Sequence, residues 1–179
     1  MIPDEERALA LHAKYGSSER VVTHCRTVTA VSRTLADALL SKKKEIDRKA
    51  ILSGALLHDI GRSRTHTVEH GYVGAKILQD EGVDQVVVEI VRRHVGAGIS
   101  AEEAVTLGFP EGDYIPRTLE QKVVCFADKM VSSDTVRPFE EEVRRFVRKG
   151  HDVDRLRGLK ADVAGALGED PETILLAGT

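Results

Sequence analysis

The sequence carries ionisable side chains at positions where the surrounding pattern predicts valine or leucine. His24 lies on the same helical face as Val21 and Val28, and His94 continues the apolar face that carries Ile90. Burying an unpaired carboxylate costs several kcal/mol, and a buried imidazole must at least be hydrogen-bonded. The residues of this kind are His24, His58, Asp59, His70, His94 and Asp128.

One polar residue on an apolar face is usually a core group whose hydrogen bonds are satisfied. Here five separate segments of the chain contribute, and their simplest joint explanation is convergence on a cation in the interior. Imidazole and carboxylate groups suit first-row transition metals such as Mn, Fe, Co, Ni or Zn. No thiolate belongs to the set, which argues against a structural zinc site.

The two cysteines are predicted to be free and buried. Cys25 and Cys125 lie far apart, form no CxxC pattern and sit inside apolar helical patterns. Free, buried thiols are therefore the expected state, and they suit a reducing, cytoplasmic compartment.

The metal-ligand candidates need helices to hold them, and hydrophobic periodicity predicts helix after helix. Asp47 and Ser100 are placed as helix caps, and Gly61 and Gly82 as helix ends. The predicted helices cover residues 4–15, 18–40, 47–61, 68–81, 84–96, a short helix from 100, 118–133, 138–149 and 152–167, with a frayed end over 171–179. Only the valine run 86–88 favours a strand, and its surroundings have helical period, so we predict an all-α helical bundle.

Composition argues against several other classes of protein. The chain has 179 residues, which fits one domain, with 41% apolar and 31% charged residues. A net charge of −3 argues against duplex DNA as the main partner, and an aromatic content of 4% without tryptophan gives little support to a base-stacking platform. The longest apolar run, 50–57, is too short to span a membrane, and the acidic N-terminus does not resemble a signal peptide.

One string of residues points to a family. His58, Asp59, Ile60 and Gly61 spell HDIG after an apolar helix, with a helical histidine before them and a helical aspartate within ADK after them. This order resembles the HD-domain metal-dependent phosphohydrolases, in the HDIG subclass. The resemblance covers roughly residues 19–133. It implies a helical metal-binding domain over 1–133, with 134–179 as a helical extension packed on it.

The resemblance also implies roles for the candidate ligands. His24, His58, Asp59 and Asp128 would bind one divalent metal. In members with two metals, Asp59 would bridge the ions, and His70 and His94 occupy the positions of the additional ligands. Two departures stand out: Arg62 replaces a common lysine, and Arg93 precedes His94 where many relatives have a second histidine.

The same residues indicate hydrolysis of a phosphate ester. A metal ion lowers the pKa of bound water toward about 7, and phosphoryl transfer needs positioning and charge neutralisation more than a covalent nucleophile. The catalytic candidates are Asp59 and Arg62. Arg62, Lys129 and His66 are the candidates for binding substrate, with His66 at the rim. His12 and His151 have no partner pattern and are predicted to lie on the surface.

The predicted function is hydrolysis of a small phosphomonoester or phosphodiester, a nucleotide or a related compound, with one or two divalent transition metals. The alternatives are a nuclease acting on short RNA, a regulatory module that binds nucleotide or metal without turnover, and a di-iron oxygenase, to which no feature points. The charged helices after Asp134 could cover the pocket or form the surface of a homodimer, and the sequence does not choose between these.

Overall fold

Most helices begin and end where the local sequence satisfies their free backbone groups. Carboxylate oxygens of Asp4 and Asp47 accept hydrogen bonds from the backbone amides three residues later, and Ser100 and Thr118 form capping boxes. Gly150 is one of the left-handed residues that end a helix. In the described part of the chain, residues 1–176, the computed structural model is built from helices and one short hairpin.

The elements follow in chain order, and we number them as they appear. They are α1 (Glu5–Tyr15), α2 (Glu19–Ser41), α3 (Arg48–Leu57), a 3-10 turn (Ile60–Ser63), α4 (His70–Asp80), α5 (Gln85–Arg92), α6 (Ala101–Thr106), α7 (Leu119–Lys129), β1 (Val131–Ser132), β2 (Thr135–Val136), α8 (Phe139–Lys149), α9 (Val153–Leu167) and α10 (Pro171–Leu176).

The core forms where α2, α3, α5 and α7 pack against one another. Their inward faces carry fully buried side chains such as Leu35, Ile51, Ile90 and Phe126. Phe139 of α8 belongs to the same apolar cluster, as do residues of α9, so the C-terminal helices pack on the same body. The boundary between 133 and 134 stays a prediction. No helix of the described residues is long and apolar enough to cross a bilayer.

Two helices end earlier than the periodicity predicts. α3 ends at Leu57 rather than at Gly61, so His58 and Asp59 lie in the turn that follows. α5 ends at Arg92, which leaves His94 beyond the helix rather than on its apolar face. The thiol of Cys125 donates to the carbonyl of His94 at 3.4 Å, so a contact from α7 stabilises the chain where it leaves the helix. Both cysteines are buried and free, as predicted.

The helix predicted to run to Ser133 also ends early, at Lys129. A hairpin that the periodicity did not predict follows it, with Val131 paired to Val136 and Ser132 to Thr135. Ser133 adopts a left-handed backbone conformation, with φ of 58°, at the turn. The segment 171–179 is predicted to be frayed, but the helix α10 forms part of it. Residues 177–179 of that segment lie outside the described residues.

The turn after α3 packs closely on α4 through two glycines. A Cβ atom at Gly61 would lie 2.0 Å from the carbonyl oxygen of His70 and 2.6 Å from the amide nitrogen of Gly74. Both neighbours are backbone atoms, which cannot turn aside as a flexible side chain would. The glycine therefore permits the close approach that places the residues after α3 beside the start of α4.

We expect Gly61→Ala to lower the free energy of unfolding by about 3 kcal/mol, because the new methyl group must displace the backbone of α4. Denaturant unfolding of the purified variant measures this. Gly158→Ala is the matched control, since Gly158 lies inside α9 with open space around it and alanine favours helix. Equal stabilities for the two variants would contradict the packing argument.

Candidate metal centre

The six residues predicted as metal ligands reach one interior region from five segments. α2 carries His24, and α7 carries Asp128 one residue before its end. The remaining ligands lie at helix ends, where the chain changes direction: His58 and Asp59 follow α3, His70 opens α4 and His94 follows α5. Adjacent residues cannot share one face of a helix, and the turn after α3 lets His58 and Asp59 face a common point.

Asp59 lies at the middle of the cluster. Its Oδ1 is 3.2 Å from Nε2 of His70 and 3.4 Å from Nε2 of His94. Its Oδ2 is 3.7 Å from Nε2 of His58. Asp59 is 4% exposed, so its carboxylate is almost wholly enclosed by these partners. This carboxylate therefore reaches both halves of the cluster.

Asp128 occupies the other half. Its Oδ1 is 2.9 Å from Nε2 of His24 and 3.6 Å from Nε2 of His58. His58 thus lies between the two carboxylates. The donor atoms form three overlapping groups of three, within each of which all atoms lie within 4.8 Å of one another. These groups are His24–His58–Asp59, His58–His94–Asp128 and Asp59–His70–His94.

Each imidazole of the cluster is oriented by a backbone carbonyl. In His24, Nδ1 lies 2.8 Å from the carbonyl oxygen of Ser133. In His58, His70 and His94, Nδ1 lies 2.7 Å from the carbonyl oxygen of the residue three positions earlier in the chain. A carbonyl only accepts, so Nδ1 carries the hydrogen and donates it. The lone pair of each neutral ring is therefore on Nε2, which points into the cluster.

These lone pairs fit a cation. The Nε2 atoms of His70 and His94 face each other at 3.1 Å, although neither neutral ring has a hydrogen there to donate. Nε2 of His58 and Oδ1 of Asp59 are buried without a hydrogen-bond partner. Buried polar atoms normally have a partner, and a divalent ion would accept lone pairs from all four atoms. The residues present thus suit a bound divalent metal.

Electrostatics keeps the carboxylates ionised. Burial alone would raise the pKa of Asp59, but His58 and the other imidazoles hold it well below its usual value. Lys129 and the adjacent histidines likewise lower the pKa of Asp128 against the effect of burial. Burial lowers the pKa of His94 to about 4, so this ring is neutral at physiological pH. Both carboxylates are therefore anionic and ready to bind a cation.

Two cations hold the outer oxygens of these carboxylates. Nε of Arg62 donates to Oδ2 of Asp59 at 2.6 Å, and Nζ of Lys129 donates to Oδ2 of Asp128. The guanidinium is partly exposed, whereas Lys129 is buried. Burial opposes the charged ammonium, but Asp128 outweighs it and the pKa of Lys129 is raised. The cations thus leave the two Oδ1 atoms facing the imidazoles.

A cleft of about 1060 Å³ opens above the cluster. Ligand residues form its floor, and Arg62, Lys129 and His66 also line it. His66 is exposed, as expected for a residue at the rim. The three candidates for binding substrate therefore share one cavity with the candidate ligands, although their roles remain predictions.

The prediction that His12 lies on the surface is wrong. His12 is 1% exposed; its Nε2 donates to the carbonyl oxygen of Leu56 and its Nδ1 accepts from the hydroxyl of Ser17, both at 2.8 Å. It thereby ties α1 to the end of α3 that carries the HD pair. The sequence held one signal, since His12 lies one turn after the apolar Ala8. His151 is exposed, as predicted, but it also lines the cleft.

Comparison with known proteins found one family model and several similar chains. The sequence model described as HD domain matches residues 21–132. Uncharacterized protein MJ0778 of Methanocaldococcus jannaschii is 44% identical over 144 residues, which cover 80% of this chain and 85% of that protein. The tRNA (cytidine(56)-2'-O)-methyltransferase of Thermoplasma volcanium is 38% identical over 176 residues, which cover 97% of this chain and 51% of the methyltransferase.

A protein of the same methyltransferase name from Picrophilus torridus is 37% identical over 175 residues. The chain spans about half the length of the curated methyltransferases it matches. Among solved structures, the HD domain of the L. monocytogenes phosphodiesterase PgpH in complex with cyclic-di-AMP aligns with a TM-score of 0.57 and 14% identity. The alignment covers 89% of this chain and 95% of that one, which confirms the predicted all-α fold.

We expect His94→Ala to reduce the number of bound Mn²⁺ ions from two to one, because Asp59, His70 and His94 form a ligand group of their own. Equilibrium dialysis followed by elemental analysis measures the stoichiometry. His66→Ala, a rim histidine outside the cluster, should keep the wild-type value. A wild-type chain that saturates at one ion would refute the second site.

We expect the affinity for Mn²⁺ to rise with pH. Burial would lower the pKa of His24 and His58, but Asp128 raises that of His24, and Cys25 and Asp59 raise that of His58. Below these raised pKa values a proton competes for Nε2, so affinity should gain about tenfold per pH unit for each proton displaced and level off above them. Calorimetric titration between pH 6 and 8.5 in two buffers counts the protons. Binding that released none would contradict this account.

Proposed function

Because this chain belongs to the HD domain family, we propose that it is a metal-dependent phosphohydrolase that cleaves a phosphate ester of a nucleotide. The resemblance carried by the residues from His58 to Gly61 is thereby confirmed at the level of the family, and we place the chain in the HDIG subclass on the same residues. The proposed metal ligands are His24, His58, Asp59, His70, His94 and Asp128.

The observation that carries the proposal is the set of unshared lone pairs in the interior. All four imidazoles have Nδ1 committed to a carbonyl, so each directs Nε2 at one or both of the carboxylates. Such an arrangement is costly without a cation, and orientation of ligating histidines by carbonyls is typical of metal sites. We propose two ions, drawn from Mn, Fe, Co, Ni or Zn, since the ligand groups around Asp59 and Asp128 overlap only in part.

When bound, divalent ions supply a water of lowered pKa and neutralise charge on the phosphate oxygens. The chain itself orients the substrate. Arg62 uses Nε to hold Asp59, and its guanidinium has further N–H donors that can bind a phosphate oxygen at the same time. Lys129 lies within the protein on Asp128, and we propose that it keeps this carboxylate ionised and directed at the metals. His66 contributes at the rim of the cleft.

The relatives bear on the substrate. The solved HD domain of PgpH binds cyclic-di-AMP, which supports a nucleotide substrate for this chain. The methyltransferase names describe proteins about twice as long, and the proposed hydrolytic centre lies wholly within this chain. Their tRNA substrate nevertheless favours the second candidate, a nuclease that acts on short RNA. A regulatory module without turnover is less favoured, because the ligand set of the cluster is complete.

The Asp59→Ala variant should bind less metal, because the central ligand is removed. Its turnover should fall at least about 100-fold, because metal ions supply several kcal/mol of charge stabilisation. The measurement compares hydrolysis of bis(p-nitrophenyl) phosphate and p-nitrophenyl phosphate with Mn²⁺, Co²⁺ or Ni²⁺ supplied. Asp80→Ala, at an exposed residue paired with Lys76, should behave as wild type. An Asp59→Ala variant with full metal content and full turnover would overturn the proposed function.

A further inference from the structure

The cleft above the candidate metal centre has two walls of different origin. Residues 21–132, the part that matches the family, provide the candidate ligands and the wall beside them. Most of the lining beyond the match comes from α8, the turn after it and the start of α9. We call this part the distal wall and define it by Arg145, Phe146, Lys149 and His151. It has no part in holding the metals, so its chemistry needs another explanation.

Helix geometry places cationic and aromatic groups side by side on the distal wall. Arg145 and Lys149 are one turn apart on α8, and both are exposed to the cleft. Gly150 ends the helix in a left-handed conformation, with φ of 69°, and the chain turns back. The ring of His151 then meets that of Phe146 edge to face, with centroids 5.3 Å apart. The wall therefore offers positive charge next to a ring pair.

The cationic side chains that line the cleft fall into two groups. Four are held by carboxylates: Arg62 by Asp59, Lys129 by Asp128, Arg155 by Glu103, and Arg145 of the distal wall by Glu142. The side chains of Lys149 and of Arg20, in the first turn of α2, also line the cleft and make no ion pair or hydrogen bond with the described residues. Exposed cations without a protein partner are free to bind an anion.

We propose that the distal wall and Arg20 bind the nucleoside and the phosphate next to the scissile bond, so that the substrate is a short oligonucleotide. This inference rests on the proposed function and names the substrate class of that site. A mononucleotide places its single phosphate at the metal centre and leaves nothing anionic for Lys149 and Arg20. An oligonucleotide carries a second phosphate next to a nucleoside, which matches a cleft that holds two unpaired cations together with the His151–Phe146 pair.

The size of the cleft agrees with this substrate. Its volume of about 1060 Å³ lies just above the roughly 300–1,000 Å³ range of small-ligand sites. In the reaction, one water oxygen bonds to phosphorus and the bond from phosphorus to one sugar oxygen breaks. One water proton ends on the released sugar hydroxyl and the other goes to solvent. The products are a shorter oligonucleotide or nucleoside and a phosphomonoester.

The test compares kcat/KM for a 5'-phosphorylated dinucleotide, the same dinucleotide without that phosphate, a mononucleotide and bis(p-nitrophenyl) phosphate, with Mn²⁺. Wild type should prefer the phosphorylated dinucleotide over the unphosphorylated one by about tenfold, and Lys149→Gln and Arg20→Gln should each remove most of that preference. His151→Ala should lower the ratio of dinucleotide to p-nitrophenyl diester. Ribose and deoxyribose dinucleotides show which sugar the site accepts.

Arg148→Gln is the matched control, because Arg148 is exposed in the same last turn of α8 but does not line the cleft. It should keep the wild-type preference, and thermal melts check that each variant is folded. A Lys149→Gln variant with wild-type preference, or a wild type that prefers the mononucleotide, would overturn the inference while the proposed function stands. A metal-loaded wild type that hydrolyses none of the substrates would overturn the proposed function itself.

Discussion

Four imidazoles and two carboxylates share one interior region, and the cost of keeping them there constrains the structure around them. Lone pairs and negative charge brought together away from water repel one another unless each group has a partner. Backbone carbonyls take the Nδ1 hydrogens, and Arg62 and Lys129 take the outer carboxylate oxygens. The Nε2 atoms of the imidazoles and the Oδ1 atoms of the carboxylates then remain available to bind a cation. The proposed chemistry follows from this division of partners.

Most of the candidate ligands are positioned by the ends of helices and not by their faces. His58, Asp59, His70 and His94 all lie where a helix starts or stops, and each stop is supported by a contact from elsewhere in the chain. His12 binds the last turn of α3, and the thiol of Cys125 binds the carbonyl of His94. These contacts hold the chain where it leaves α3 and α5. The buried polar contacts around the cluster are therefore part of the site.

The cleft combines the candidate metal centre, which lies within the family match, with a wall that lies beyond it. The distal wall adds cationic side chains and the His151–Phe146 ring contact to this cleft. A common reaction at the centre and a separate recognition surface would let related chains act on different esters.

Local pattern was enough to predict most of the helices, several of their caps and the residues that converge, because periodicity and capping depend on near neighbours along the chain. His24 and Asp128 stand out on apolar faces, and the HDIG string marks the turn between them. Three features became visible only in the folded chain: His12 is buried, α5 ends before His94, and the turn of the hairpin binds His24. Each of these depends on a partner distant in sequence or on the path of the backbone, and local pattern carries no information about which distant groups will meet.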